Sequence, residues 1–228
     1  MAEDIIRLLV EHVGGQDALI IPDRDGDTPL HAAIKLRVSP LIIQFLAYKS
    51  MPPVCFGRNG RVIPTLGCQH ALGMQNRSGH TPLHAAMSNL YLVPEYDTVL
   101  YLVQIYPTAL GTVCHFQRTP LTMALYLVLK NVMPVSVLER LVQSYPQALL
   151  VNDPREGYCK FPLVYALKNV KNADFAYSLD VETLIEVLGL LIDSDRVVMR
   201  RHGNALTPYE LAVREHLPPR VEEFLLGH

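Results

Sequence analysis

The chain has 228 residues, half of them hydrophobic and 18% charged, with 17 prolines, four cysteines and no tryptophan. A formal net charge of −2 supplies no overall basic field to draw it to nucleic acid or anionic lipid. Its longest apolar runs, such as Ala124 to Leu129, fall far short of the ~20 residues of a membrane-spanning helix.

The chain opens on acidic Met1-Ala2-Glu3-Asp4, so no secretory leader is expected, and the cysteines are expected as reduced thiols in the cytoplasm or another intracellular compartment. Residues 2–13 read as an amphipathic helix with Ile5, Ile6, Leu8, Leu9 and Val13 on its apolar side, stopped by Gly14-Gly15. Asp23-Arg24-Asp25-Gly26 makes a turn, a helix follows over 28–37, and Ser39-Pro40 starts its partner, which runs to about Tyr48. The segment Lys49 to His70 carries Pro52, Pro53, Gly57, Gly60, Pro64 and Gly67 and reads as an inserted loop. Val54, Phe56, Val62, Ile63 and Leu66 argue against a plain solvated linker, and Asn59-Gly60 marks a short hairpin with a two-residue turn.

Further on, the patterns predict helix pairs at 81–89 with 97–106, and at 119–130 with a return helix from Val137 to Tyr145. A longer turn, Asn152 to Lys160, precedes a helix begun by Phe161-Pro162, and Lys171 to Leu179 leads to an apolar helix over 180–192. The last pair runs from Thr207 to about Glu215 and, after Pro218-Pro219, from Val221 to Leu226.

Two hexapeptides recur, Thr28-Pro29-Leu30-His31-Ala32-Ala33 and Thr81-Pro82-Leu83-His84-Ala85-Ala86, with weaker echoes at Thr119-Pro120-Leu121, Phe161-Pro162-Leu163 and Thr207-Pro208-Tyr209. Thr followed by Pro starts a helix: the hydroxyl caps an orphan N–H, and Pro occupies the first turn where no N–H is needed. Thr207 and Glu210 have capping-box spacing. A second marker keeps phase with the first, because Ala18-Leu19, Ala71-Leu72 and Ala109-Leu110 each stand ten residues before the Thr, and Ala148-Leu149 precedes Phe161. Tyr106-Pro107-Thr108-Ala109-Leu110 is nearly repeated by Tyr145-Pro146-Gln147-Ala148-Leu149.

Segments 22–47 and 74–106 resemble ankyrin repeats, whose unit is a β-turn and two antiparallel helices with a T-P-L-H-x-A signature. The resemblance implies an all-α chain, an ankyrin-like α-solenoid of helix-turn-helix repeats linked by β-turn fingers and forming one domain. Its parts would be a truncated first repeat over 1–21, repeats over 22–48, 71–108, 109–147 and 148–195, the inserted loop 49–70, and a capping repeat over 196–228. It further implies a protein-binding scaffold that holds its partner by turn tips and one helical face. Carried onto this sequence, the tips are Arg24 and Asp25, Arg77 and Ser78, Phe116 and Gln117, Arg155 and Glu156, and Gly203 and Asn204. Phe56, Arg58 and Arg61 of the insertion join this partner-binding set. Phe116 is the expected anchor, or else packs on the neighbouring finger.

No catalytic constellation or cofactor motif is read, so no enzyme activity, cofactor, nucleic acid or small-molecule substrate is expected. The resemblance implies that His31 and His84 hold the preceding turn by hydrogen bonds rather than bind metal. Cys55, Cys68 and His70 have zinc-ligating chemistry but lack a Cys-x-x-Cys spacing and a fourth ligand. Asp23, Asp25 and Asp27 alternate as in a calcium loop, yet position twelve is Ile34, and turn chemistry accounts for the acids. A mean hydropathy of +0.17 fits either long core helices or a surface covered by a partner, so a permanent subunit of a large assembly stands as the alternative, with an enzyme-associated regulatory subunit behind it.

Overall fold

The structure, a computed structural model, describes residues 15–50, 55–56, 62–63, 71–90, 92, 95–151, 161–170, 180–193 and 206–227. Gly15–Ala18 forms a single helical turn, and the expected helix over 2–13 lies outside the described residues together with Gly14. Ten helices then follow among the described residues, in five pairs. The first helices of the pairs are α1 (Pro29–Lys35), α3 (Pro82–Asn89), α5 (Pro120–Leu129), α7 (Pro162–Asn169) and α9 (Pro208–Arg214). The second are α2 (Pro40–Lys49), α4 (Tyr96–Ile105), α6 (Val135–Ser144), α8 (Val181–Asp193) and α10 (Pro219–Leu226). A proline stands in the first turn of all five first helices, which is why these starts agree with the expected ones to within a residue.

Each pair packs its two helices together, and the pairs stack in two layers. In one layer α1, α3, α5, α7 and α9 touch in that order; in the other, α2, α4, α6, α8 and α10 do. The core lies between the layers and between successive pairs. Central α5 (Pro-Leu-Thr-Met-Ala-Leu-Tyr-Leu-Val-Leu) buries nine of its ten residues, leaving Tyr126 half-buried. A helix apolar all round needs neighbours all round, and α3, α6 and α7 supply them. Leu121, Leu125, Leu127 and Leu129 are each at most 1% exposed, worth about 2 kcal/mol apiece. Much of the high hydropathy is therefore spent on contacts between pairs.

The Ala-Leu marker acquires a physical meaning here. Tyr106 and Tyr145 cap α4 and α6, and the chain then tightens into 3-10 turns, Pro107–Gly111 and Pro146–Leu150. These turns bury Ala109, Leu110, Ala148 and Leu149, and the equivalent Ala71 and Leu72 are buried too. Each tyrosine leans back on the glycine that follows the preceding Ala-Leu: a Cβ on Gly73 would stand 2.9 Å from the Tyr106 hydroxyl, and one on Gly111 would stand 3.4 Å from Tyr145 Cε1.

At the far end of the pairs, α1, α5 and α9 terminate alike. Arg37, Asn131 and His216 take left-handed φ values of 52°, 56° and 51°. The next residue closes the end, with Val38 N–H donating to Ala33 O, Val132 N–H to Leu127 O and Leu217 N–H to Ala212 O at 2.9–3.1 Å. In the insertion, β1 (Cys55–Phe56) pairs antiparallel with β2 (Val62–Ile63). Cys55 faces Ile63 and Phe56 faces Val62, which leaves an odd number of residues between the strands. A two-residue Asn59-Gly60 turn needs an even number, so the expected hairpin is present with a different register.

Candidate functional site

Three fingers, at residues 23–27, 76–80 and 114–118, are copies of one turn. In each, the first residue's N–H donates to the carbonyl of the fifth, and the fourth residue's N–H donates back to the first: Asp23 with Asp27 and Gly26, Asn76 with His80 and Gly79, Cys114 with Arg118 and Gln117, at 2.8–3.1 Å. The fourth position demands a left-handed backbone, met by Gly26 (φ 79°), Gly79 (φ 74°) and, without glycine's freedom, Gln117 (φ 60°). Asp23 Oδ1 accepts from Asp25 N–H at 2.8 Å and Asp27 N–H at 2.9 Å, and Asn76 Oδ1 accepts from Ser78 and His80 N–H at 3.0 Å. The alternating acids at 23, 25 and 27 thus include a side chain committed to holding its own turn.

Successive fingers are bonded edge to edge. Arg77 N–H donates to Asp25 O at 3.0 Å, and His115 N–H donates to Ser78 O at 3.1 Å. The approach is close enough that a Cβ on Gly26 would stand 2.8 Å from Arg77 N, and one on Gly79 2.7 Å from His115 N. Asn76 Nδ2 donates to Asp27 Oδ1 at 2.7 Å, and Lys35 pairs with the other carboxylate oxygen. Burial alone would raise the Asp27 carboxyl, but these hydrogen bonds and the Lys35 charge outweigh it and hold it below its ordinary value.

His31 and His84 lock the fingers to the helices. His31 Nε2 bonds His80 O at 2.9 Å, and His84 Nε2 bonds Arg118 O at 3.1 Å. A carbonyl only accepts, so Nε2 carries the proton and Nδ1 is the acceptor. That acceptor takes the Thr28 N–H at 3.3 Å and, in the second copy, the Thr81 N–H at 3.1 Å, with each threonine hydroxyl 2.9 Å from the same nitrogen. The expected hold on the preceding turn is present, and a bond to the following finger accompanies it. Both imidazoles are fully buried with both ring nitrogens engaged. Burial, and an Nδ1 that faces a donor, lower both pKa values, that of His84 to about 4. At the corresponding position, Thr122 and Glu210 close capping boxes with Thr119 and Thr207.

Of the expected site residues, Arg24, Asp25 and Arg77 are exposed, Ser78 and Gln117 are half-buried, and Phe116 is 67% exposed. The structure brings these six together along one row of fingers. Phe116 packs in part on the neighbouring finger: its ring lies 5.8 Å from that of His80 on the preceding finger, tilted by 54°, while most of it faces water. His80 stacks in turn on His84, with ring centroids 5.3 Å apart and planes within 3°. Arg58, Arg61, Arg155, Glu156, Gly203 and Asn204 lie outside the described residues, as do Cys68, His70 and the side chains of Cys55 and Phe56. Sequence reading missed His80, His115 and Arg118 as members of this surface. Aligning the fingers on their Thr residues would have found them, since His115 shares a column with Arg24 and Arg77, and His80 and Arg118 share one with Asp27.

Among the described residues no group of three or more His, Cys, Asp or Glu side chains is placed to hold a metal ion. No helix among them is long and apolar enough to cross a membrane. A cleft of about 210 Å³ opens at the opposite end of the first two pairs, lined by Ile34, Arg37, Pro40, Ile43, Leu90 and Glu95 among others. Comparison of the sequence with protein-family models returns no match, and comparison with curated proteins returns none either.

Proposed function

We propose that this chain is a non-catalytic scaffold of ankyrin-like repeats that holds a protein partner across its finger row. The observation that carries this reading is the division of labour within the fingers. Their backbone groups, glycines and buried histidines bind finger to finger, while Arg24, Asp25, Arg77 and Phe116 are left exposed at the tips. Side chains on a pre-bonded frame lose little freedom on binding, which lowers the ordering cost of association. An aromatic with two-thirds of its surface in water is the natural hot spot of such a row.

The test is affinity capture from native extract with the intact chain and with Phe116→Ala, after circular dichroism has established that both fold. Loss of a stoichiometric partner with the variant supports the tip reading; an unchanged partner set refutes it. A second reading, a permanent subunit of a larger assembly, draws on a different surface. Leu36 (76% exposed), Leu41 (58%), Tyr48 (63%) and Leu92 (69%) crowd the first two pairs. In that case capture survives Phe116→Ala but fails when residues 51–69 are replaced by a Gly-Ser linker or when Leu36 and Leu92 are made polar.

A further inference from the structure

Charge is distributed unevenly along this nearly neutral chain. Between Ser50 and Leu138 the only carboxylates are Glu95 and Asp97. Both stand at the start of α4, beyond the far end of α3 from the fingers. The eight residues of α3 span about 12 Å, longer than the ~8–10 Å over which salt screens exposed charges. The second and third fingers themselves contain no acid; they carry Arg77, His80, His115 and Arg118. Arg77, His115 and Arg118 are exposed, and no ion pair engages either arginine among the described residues. The bond from His115 N–H to Ser78 O brings these groups onto adjacent rungs, and the His80–Phe116 ring contact sets the aromatic among them. The first finger differs: its Asp23 and Asp27 carboxylates are engaged by the turn and by Lys35 and Asn76, while Asp25, whose carbonyl accepts from Arg77 N–H, is exposed.

We propose that the second and third fingers receive an acidic segment of a partner protein, with an apolar or aromatic side chain of that segment set against Phe116. This deepens the scaffold reading and rests on it. Arg77 and Arg118 supply the attraction and Phe116 the desolvated contact. Acids flank these two fingers in the sequence, Asp25 before them and Asp153 and Glu156 after them, so the segment is confined to the second and third fingers.

The probe is a short fluorescein-labelled peptide of alternating Glu and Gly with one central Phe, followed by fluorescence anisotropy at low and moderate salt. Controls are the same peptide with Lys for Glu, the same with Ser for Phe, and a labelled single-stranded RNA of equal charge. Two variants are compared: Phe116→Ala, and Arg77→Glu with Arg118→Glu. The arginine side chains make no hydrogen bond among the described residues, and the backbone groups that tie the fingers survive the change. The expected result is binding of the acidic Phe peptide that weakens as salt rises, and that falls about tenfold or more with each variant. Equal binding of the Lys peptide, or an affinity unchanged by charge reversal, overturns the proposal. Tighter binding of RNA than of the peptide overturns it in favour of nucleic acid. Capture from extract separates the two levels. A partner lost with Phe116→Ala but kept by the charge-reversed chain leaves the tips as the site and removes the acidic partner. A partner kept by both variants removes the tips as well.

Discussion

Acid should loosen this protein well above the range in which its carboxylates titrate. The perturbation is a fall in pH, and the responding group is His84, buried, with Nε2 on Arg118 O and Nδ1 accepting the Thr81 N–H. Its pKa falls from 6.5 to about 4, because burial penalises the cation and a protonated Nδ1 would confront a donor. A lowered folded-state pKa means that the unfolded chain takes up the proton first. The stabilisation is complete above about pH 6.5 and is lost progressively as pH falls toward 4. At 1.36 kcal/mol per unit of pKa difference, this one group costs about 2 kcal/mol between pH 7.5 and 5, and about 3 kcal/mol once both states are protonated. His31 and His80 shift in the same direction, and of the charged neighbours Asp27 opposes the shift while Lys35 adds to it. For a chain of this length 2 kcal/mol lowers the melting temperature by about 4–8 °C. The assay is a series of thermal melts by circular dichroism from pH 7.5 to 5, on the native chain and on His84→Gln. Gln retains a capping side chain at this position and does not titrate. A melting temperature that is flat across this interval, or an identical slope in His84→Gln, would refute the argument.

Other outcomes follow from the finger geometry. Gly79→Ala puts a Cβ 2.7 Å from His115 N in a left-handed backbone, so it should cost more than about 2 kcal/mol in urea denaturation. Gln117→Gly at the equivalent position of the third finger should instead stabilise, by about 0.5–1 kcal/mol, read as a rise in melting temperature. The same gain is expected at the left-handed helix ends from Arg37→Gly and His216→Gly. Asn76→Ala strips a hydrogen bond from the buried Asp27 carboxylate and two acceptor contacts from its own turn. A loss of about 2–3 kcal/mol is expected, measured by denaturant melts.

The sequence by itself determined the order and type of the helices, because the information lies within a few residues of each start. Thr followed by Pro sets both the cap and the first backbone angle locally, and Gly26 and Gly79 mark turns that no other residue forms without strain. Hence α1, α3, α5 and α9 begin where their Thr-Pro pairs stand. The six described tip residues were legible because they lie just before those pairs, although Phe116 and Gln117 stand one residue later in their finger than the residues read in the first two. Tertiary structure alone decided what joins one finger to the next. The bonds from His31 to His80 O, from His84 to Arg118 O and from Asn76 to Asp27 span 34 to 49 residues. Nothing local in the chain specifies which carbonyl a buried imidazole will find. The register of β1 on β2, Cys55 with Ile63 and Phe56 with Val62, is likewise not the one that a two-residue Asn59-Gly60 turn sets. The exposure of Phe116 belongs to the same class. Whether an aromatic at a turn tip is covered depends on how far the neighbouring finger reaches, and that distance is set by the packing of whole helix pairs.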